Sequence, residues 1–405
     1  MTYVANLRLG LTALGVASGV VASQMAPRGQ AAPGESDVVD ASRYRPPFRL
    51  RALWKAQELV GGRLGGVTTA DRRLGCAVAA AVRTLHARAP LDLFEMEESF
   101  GAARFVRGAI PRPMIVRLHG PWCLVSPALG RPDDAPSFQR RVTSEGRAIF
   151  AADAVSSPSR HALAQVRDHY GFGLTHAAVI PNAITTQPEP LRWRFEQCDQ
   201  RTVLFVGRFD RLKGGDIVLG AFARLAREIP EARLVFVGPD RGFRDDAGKT
   251  WSFDDYLRAH LPGDLAARVQ MLGEQPSSAI AELRRSSFVT MVASRFETFS
   301  MTAVEALSHG SPLLAPAVAA LVEIVEHGRN GLLFEGGNEE SAARQLLSLF
   351  RDPALARRLA AAGAEDAVRR YAPEVVARQM VSFYEVVRAR HPLGTTSRTP
   401  PPLRR

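Results

Sequence analysis

The chain is poor in cysteine, in lysine and in long apolar stretches, and each shortage narrows what it can be. Three cysteines, Cys76, Cys123 and Cys198, in 405 residues are too few and too scattered for a disulfide framework or a Cys-based zinc site. A reducing compartment is therefore expected. The apolar run at residues 9–22, LGLTALGVASGVVA, is too short to cross a bilayer as a helix. It is also a poor signal-peptide core, being preceded only by Arg8 and interrupted by Gly10, Gly15 and Gly19. We read it as a helix over residues 2–15 that stops at Gly15, followed by a buried strand over residues 16–22. Four Trp and six Tyr, spread through the chain, do not furnish the stacking positions of a nucleic-acid binder. No G-x-G-x-x-G opens a helix ahead of an acidic strand end, which argues against a dinucleotide-dependent dehydrogenase. Nor is there a convincing Asp-x-Asp or His/Cys ligand cluster; Asp133-Asp134 and Asp254-Asp255 read as solvated loops or helix starts.

What is present is ordinary globular composition, 46% hydrophobic and 23% charged, in a length that suits two or three domains. The formal charge is +11, yet only Lys55, Lys213 and Lys249 of the 52 cations are lysine. Residues 1–187 carry net +8 and the remainder net +3. A basic half can face phosphates or a lipid headgroup surface, but interspersed arginines favour a solvated surface.

From residue 75 onward, helical stretches alternate with short apolar runs, the pattern of βα units on parallel sheets. Strands are predicted over residues 91–95, 114–119, 148–152, 154–157 and 177–180, then 203–206, 234–237, 269–272, 288–292, 313–315 and 332–334. Between the two series lies Pro181-Asn182-Ala183-Ile184 and a Pro-interrupted polar stretch. The division this predicts is an amino domain over 1–184, a linker over 185–190, a carboxyl domain over 191–372, a helix over 373–391 that crosses back to the amino domain, and a disordered tail over 392–405. Residues 28–46 read as loop. Both domains are predicted to be doubly wound α/β units, which bind ligands at the carboxyl ends of their strands.

Two segments carry chemistry. In VLFVGRFDRLKGG, residues 203–215, a strand ends at Gly207 and the following loop holds Arg208 and Lys213, two cations that can converge on one anion such as a diphosphate. An ordinary βα turn with solvated charges would look similar. In FVTMVASRFETFSMTAVEALSHG, residues 288–310, a strand is followed by a loop with Glu297, an N-cap at Ser300, and a helix carrying Glu305 that stops at Gly310. The free N–H groups at that helix start form an anion site. Glu297 precedes the helix and Glu305 lies inside it, so the two carboxylates need not share a face and can meet different parts of one elongated ligand. A capping loop with a solvated glutamate is the blander alternative.

The order of these residues resembles the signature of glycosyltransferase family 4, the "glycosyl transferases group 1" type of the GT-B fold. The carriers are Gly207-Arg208, Lys213-Gly214, Ser294, Glu297, Phe299, Glu305, Ala306, Gly310-Ser311-Pro312, Glu323-Ile324-Val325 and Gly328 through Phe334, with Pro181-Asn182-Ala183 and Arg117-Leu118-His119-Gly120 further upstream. The resemblance covers about residues 90 to 345. It implies two Rossmann-like domains facing a central cleft, a nucleotide-diphosphate-sugar donor, transfer with retention of configuration, and no metal or other cofactor. It further implies that Arg208 and Lys213, beside Gly207, hold the donor diphosphate, that Glu305 receives the ribose hydroxyls, and that Glu297 contacts the donor sugar. The backbone of Phe299, Ser300 and Met301 would add N–H donors, and His119 would approach the sugar from the amino domain. A lone histidine at a strand end is otherwise a packed residue.

Departures from the pattern are Ser300, where the family has Gly, and Ala319-Ala320 in place of a Gly pair, which would restrict a loop near the donor or acceptor. Residues 1–21 resemble the family's first helix and second strand, so the first strand and its Gly loop are expected to be missing, with a misplaced start codon as the favoured explanation. The expected acceptor is a saccharide or a lipid-linked glycan. The expected location is cytoplasmic, with peripheral contact to anionic membrane through the basic half. The alternative is a non-catalytic relative that binds nucleotide sugar as a scaffold.

Overall fold

The computed structural model describes residues 2–22, 37–61, 69–130, 135–171, 173–174 and 176–391. The strands in chain order are β1 (Val20–Ala22), β2 (Val38–Asp40), β3 (Phe94–Glu97), β4 (Met114–Arg117), β5 (Ala154–Ser157), β6 (Ala177–Val179), β7 (Asp199–Val206), β8 (Arg233–Val237), β9 (Phe243–Arg244), β10 (Thr250–Trp251), β11 (Val269–Gly273), β12 (Ser287–Met291), β13 (Leu313–Pro316) and β14 (Leu332–Phe334). The chain divides into two compact units. A carboxyl unit comprises Met1–Gly10, Pro127–Arg131 and Pro181–Val376; an amino unit comprises Leu11–Ser126, Pro132–Ile180 and Ala377–Arg405.

The carboxyl unit is built on a six-stranded sheet in the order β11-β8-β7-β12-β13-β14, parallel throughout. Its strands are apolar without alternation because both faces are covered. Along β13 the side chains divide between faces: Leu314 joins Phe205, Phe236, Phe288 and Phe334 in one core, while Leu313 and Ala315 join Phe299, Val304, Leu307 and Tyr371 in the other. The helices Gly215–Glu228 and Glu339–Arg351 pack together. The chain runs outward from β7 through β8 to β11 and then returns to place β12 on the other side of β7. The strand order reverses between β7 and β12, and an open α/β sheet has its ligand crevice at such a reversal, outside the carboxyl ends of the strands.

In the amino unit, β3-β4-β5-β6 form a parallel sheet in chain order, and β1 pairs with β2, also parallel, in a sheet of its own. Among the described residues no strand joins the two sheets. Met114 and Val116 point into a core with Phe94, Ile149 and Val166, while Ile115 on the opposite face meets Phe383, Tyr384 and Val387 of the helix Pro373–Arg390.

Several expectations shift. The strand read over 148–152 is the end of the helix Pro136–Ala151, whose buried residues Val142, Glu145, Ala148 and Ile149 recur at helical spacing. The strand read over 91–95 lies at Phe94–Glu97. The first helix runs over Thr2–Ala13, Gly15 turns the chain at φ 72°, and the strand expected over 16–22 is confined to Val20–Ala22. Within the stretch read as loop, Val38–Asp40 pairs with β1, and Asp40 caps the short turn that follows through Ser42. Residues 28–36, Asp133-Asp134 and the tail from Pro392 lie outside the described residues. Asp254-Asp255 occupy the first turn of the helix Phe253–His260, behind the N-cap Ser252.

Candidate functional site

At the reversal between β7 and β12, two loops are stitched together. Lys213 donates from Nζ to Glu297 Oε1 at 2.6 Å, and Ser294 Oγ donates to the same oxygen at 2.7 Å. The pair is shielded, with 25% of the Lys213 side chain and 11% of the Glu297 side chain exposed. Arg295 adds the frame: its N–H donates to Leu212 O, and its guanidinium spans both carboxylate oxygens of Asp216 at 2.8 and 2.6 Å. Gly214 explains the close approach. It adopts φ 70°, and a Cβ there would stand 2.0 Å from Ala293 O, so only glycine lets the lysine loop rest on the end of β12.

Asp210 organises both cations. Its Oδ2 accepts from Arg208 Nε at 2.7 Å and its Oδ1 from the Lys213 backbone N–H at 2.8 Å. The Asp210 side chain is 10% exposed, whereas 41% of the Arg208 side chain is open to solvent. Gly207, at the end of β7, donates its N–H to Val237 O.

The helix Met301–Ser308 begins beside this pair. Ser300 is its N-cap, accepting from the Ala303 N–H at 3.3 Å, and Phe299 is buried against Tyr371. The first amides of such a helix have no partners inside it, and the dipole there favours negative charge. Glu305, one turn in, is held at 2.5 Å by Arg284, a guanidinium only 3% exposed. Burial pulls Arg284 below the ordinary arginine range, and Glu305 opposes that pull. Ala319 stands at φ 46°, the left-handed region that L side chains avoid, so the chain keeps a glycine-like turn with an alanine in it. The neighbouring Ala320 donates its N–H to Glu297 O at 3.3 Å.

In the amino unit, His119 lies two residues beyond the end of β4. Its backbone N–H and that of Gly120 both donate to Glu98, at 2.8 Å each. Burial, aided by the nearby Arg117 charge, lowers the imidazole to about 4, so it is neutral at physiological pH.

The structure thus brings together Gly207, Arg208, Lys213, Glu297, Phe299, Ser300, Met301 and Glu305 in the carboxyl unit, and places His119 at a strand end of the amino unit. Sequence reasoning passed over Asp210, Arg284, Arg295 and Glu98. Asp210 carried a signal, an acid between two cations in a glycine-rich loop; Arg284 carried none, since it is one of two adjacent arginines at a helix end.

Residues 192–366 match the family described as "Glycosyl transferases group 1". The D-inositol 3-phosphate glycosyltransferase of Xylanimonas cellulosilytica is 30% identical over 293 residues, which are 69% of this chain and 68% of the relative. That of Stackebrandtia nassauensis is 32% identical over 248 residues, 58% of this chain and 55% of the relative. The chain thus spans about two thirds of the first of these curated relatives and just over half of the second. Among solved structures, sucrose-phosphate synthase from Thermosynechococcus elongatus superposes with a TM-score of 0.71 at 22% identity, covering 96% of this chain and 93% of that one. Anabaena HepE in complex with UDP and glucose superposes at 0.58 with 19% identity, covering 77% and 81%. The fold is GT-B, and the chain belongs to the glycosyltransferases, in the family of the group 1 glycosyl transferases.

Proposed function

We propose that this glycosyltransferase is a family 4 enzyme that moves a sugar from a nucleoside-diphosphate-sugar donor to a saccharide or lipid-linked acceptor, with retention of configuration and without a metal. The observation that carries the reading is the Lys213–Glu297 contact at 2.6 Å, placed where the strand order reverses. Lys213 and Arg208 hold the diphosphate and take up the charge that develops as it leaves, the electrostatic role fixed cations play in a water-poor site. The helix start at Ser300 and Met301 supplies backbone N–H groups to the same anion. Glu297, tied to Lys213 and Ser294, faces the donor sugar, and Glu305, steadied by Arg284, receives the ribose hydroxyls. His119 is the amino unit's contribution and, being neutral, offers a hydrogen bond without a repelling charge.

The ligands named for relatives guide the trial. HepE was solved with UDP and glucose, and the curated relatives are named for D-inositol 3-phosphate. The test is incubation with UDP-, GDP- and ADP-sugars, with and without EDTA, in the presence of inositol phosphate or a lipid-linked saccharide. Proton NMR of the product then reads its anomeric configuration. Transfer with retention, unaffected by EDTA, is the expected result; an inverted product or loss of transfer in EDTA would contradict the reading.

A further inference from the structure

Two fully buried glutamates meet in the amino unit. Glu98 follows β3 directly and turns both carboxylate oxygens to the loop after β4, accepting from the consecutive N–H groups of His119 and Gly120 at 2.8 Å each. Glu145, in the helix Pro136–Ala151, accepts from the Trp122 N–H at 2.6 Å, from Phe100 N at 3.3 Å and from Arg141 Nε at 2.8 Å. Both are 0% exposed. The Arg141 guanidinium in turn lies over the rings of Phe100 and Trp122, at 4.3 and 3.9 Å from their centroids. Phe100 is held at φ 59°, a strained backbone that persists only where its surroundings fix it.

Burying a carboxylate is costly unless its charge is matched. Here Glu98 meets that cost with the consecutive N–H groups of one short loop. We propose that Glu98, supported by Glu145, is a positioning residue that fixes the His119–Trp122 loop and so sets where His119 stands. The inference rests on the assignment of His119 to the donor sugar made above. Because both Glu98 bonds need a lone pair, the clamp is tightest when the carboxyl is ionised. Burial, reinforced by the Glu145 charge, raises Glu98 from 4.5 to about 7, while the two N–H bonds pull it back down. Against a loop that lets go with Glu98 still buried, the clamp therefore tightens as the carboxyl ionises through neutrality, even though ionisation lowers stability against global unfolding. The titratable and charged groups around it are His119 and Arg117 from β4 and its loop, Cys123 beyond that loop, Arg141 and Glu145 from the helix Pro136–Ala151, and Tyr170 from the helix Arg160–Tyr170. His119 is neutral across this range, and burial holds Cys123 and Tyr170 protonated, so the charge that changes lies on the glutamates: on Glu98, and on Glu145, which burial also pushes up.

Two measurements test this. In the wild-type protein, hydrogen exchange of the His119 and Gly120 amides, corrected for intrinsic base catalysis, should show protection rising from about pH 6 to about pH 8; flat protection would overturn the clamp. Glu98→Gln, whose amide can accept from only one of the two N–H groups, should lower kcat by about 10- to 100-fold at pH 8 and remove the rise of kcat through neutrality, with the donor KM nearly unchanged. A variant that loses amide protection yet keeps wild-type kcat and pH profile would overturn the positioning role. Full transfer in His119→Ala with protection still following pH would overturn the assignment of His119 and leave the clamp standing. Glu145→Gln, which should loosen Trp122 and lower kcat in the same direction, serves if Glu98→Gln does not fold.

Discussion

Lys213 and Glu297 stand 84 residues apart in sequence, and their charged atoms meet at 2.6 Å across the β7 and β12 loops. Each therefore controls the other. On the proposed reading, a diphosphate arriving at Lys213 would compete with Glu297, and the lysine would orient the carboxylate toward the donor sugar.

Lys213→Ala and Glu305→Ala should each weaken nucleotide binding, whereas Glu297→Ala should mainly lower turnover. Hydrogen bonds to charged groups are worth about 1.5–3 kcal/mol, or roughly 10- to 150-fold in affinity. Calorimetric titration of the nucleoside diphosphate into each variant reads this directly. Unchanged affinity in both binding variants would place the donor elsewhere.

Asp210→Ala should loosen Arg208 and the lysine loop together, because one buried carboxylate holds both. Leaving the Lys213 N–H and the Arg208 fork without their acceptor should cost about 1–3 kcal/mol. The expected result is a lower midpoint for the unfolding transition of the carboxyl unit and weaker nucleotide binding. A variant with wild-type midpoint and affinity would mean that Asp210 organises neither.

Ala319→Gly should stabilise the carboxyl unit slightly. An L residue in the left-handed region costs roughly 1–2 kcal/mol, and glycine's greater freedom in the unfolded chain returns about half of that. A rise in denaturation midpoint is expected. A fall would show that the Ala319 methyl makes contacts worth more than the backbone strain.

The neighbours Glu98 and His119 should give opposed pH dependences of stability. Glu98 rises on folding from 4.5 to about 7, so its contribution is complete below about 4.5 and is lost as pH climbs to 7. His119 falls from 6.5 to about 4, so its contribution is complete above about 6.5 and is lost as pH drops through 4. Where the windows overlap, the slopes cancel. Denaturation midpoints against pH should fall with rising pH in His119→Gln and rise with it in Glu98→Gln. Variants that both keep the wild-type profile would refute the two assignments.

Much of the carboxyl unit was legible in the sequence because its strands are buried on both faces and read as unbroken apolar runs between glycine or proline turns. β8, β12, β13 and β14 lie within a residue or two of their predicted places, whereas β7 begins several residues earlier, at Asp199, than its apolar run suggested. The amino half was harder. The run at 148–152 is as apolar as a strand, and only the longer spacing back through Glu145 and Val142 marks it as a helix end. β2 and the β9–β10 hairpin were invisible because two- and three-residue strands carry no periodicity. At the candidate site, Lys213 and Glu297, which the structure joins, stood in the sequence as members of two separate motifs. The supports of Glu305 and His119 were not legible. Arg284 steadies Glu305 and Glu98 fixes His119 only through tertiary contacts, and a lone arginine or glutamate in sequence does not announce a buried partner.

The most direct test of the donor site is a thermal-shift panel of UDP, GDP and ADP and their common sugar conjugates on the wild-type chain and on Lys213→Ala, since a ligand that binds only the folded state raises its midpoint by mass action. The account predicts a rise with the nucleotide of one base that disappears in Lys213→Ala; a well-folded protein whose midpoint no nucleotide moves, or a rise that survives the substitution, would contradict it.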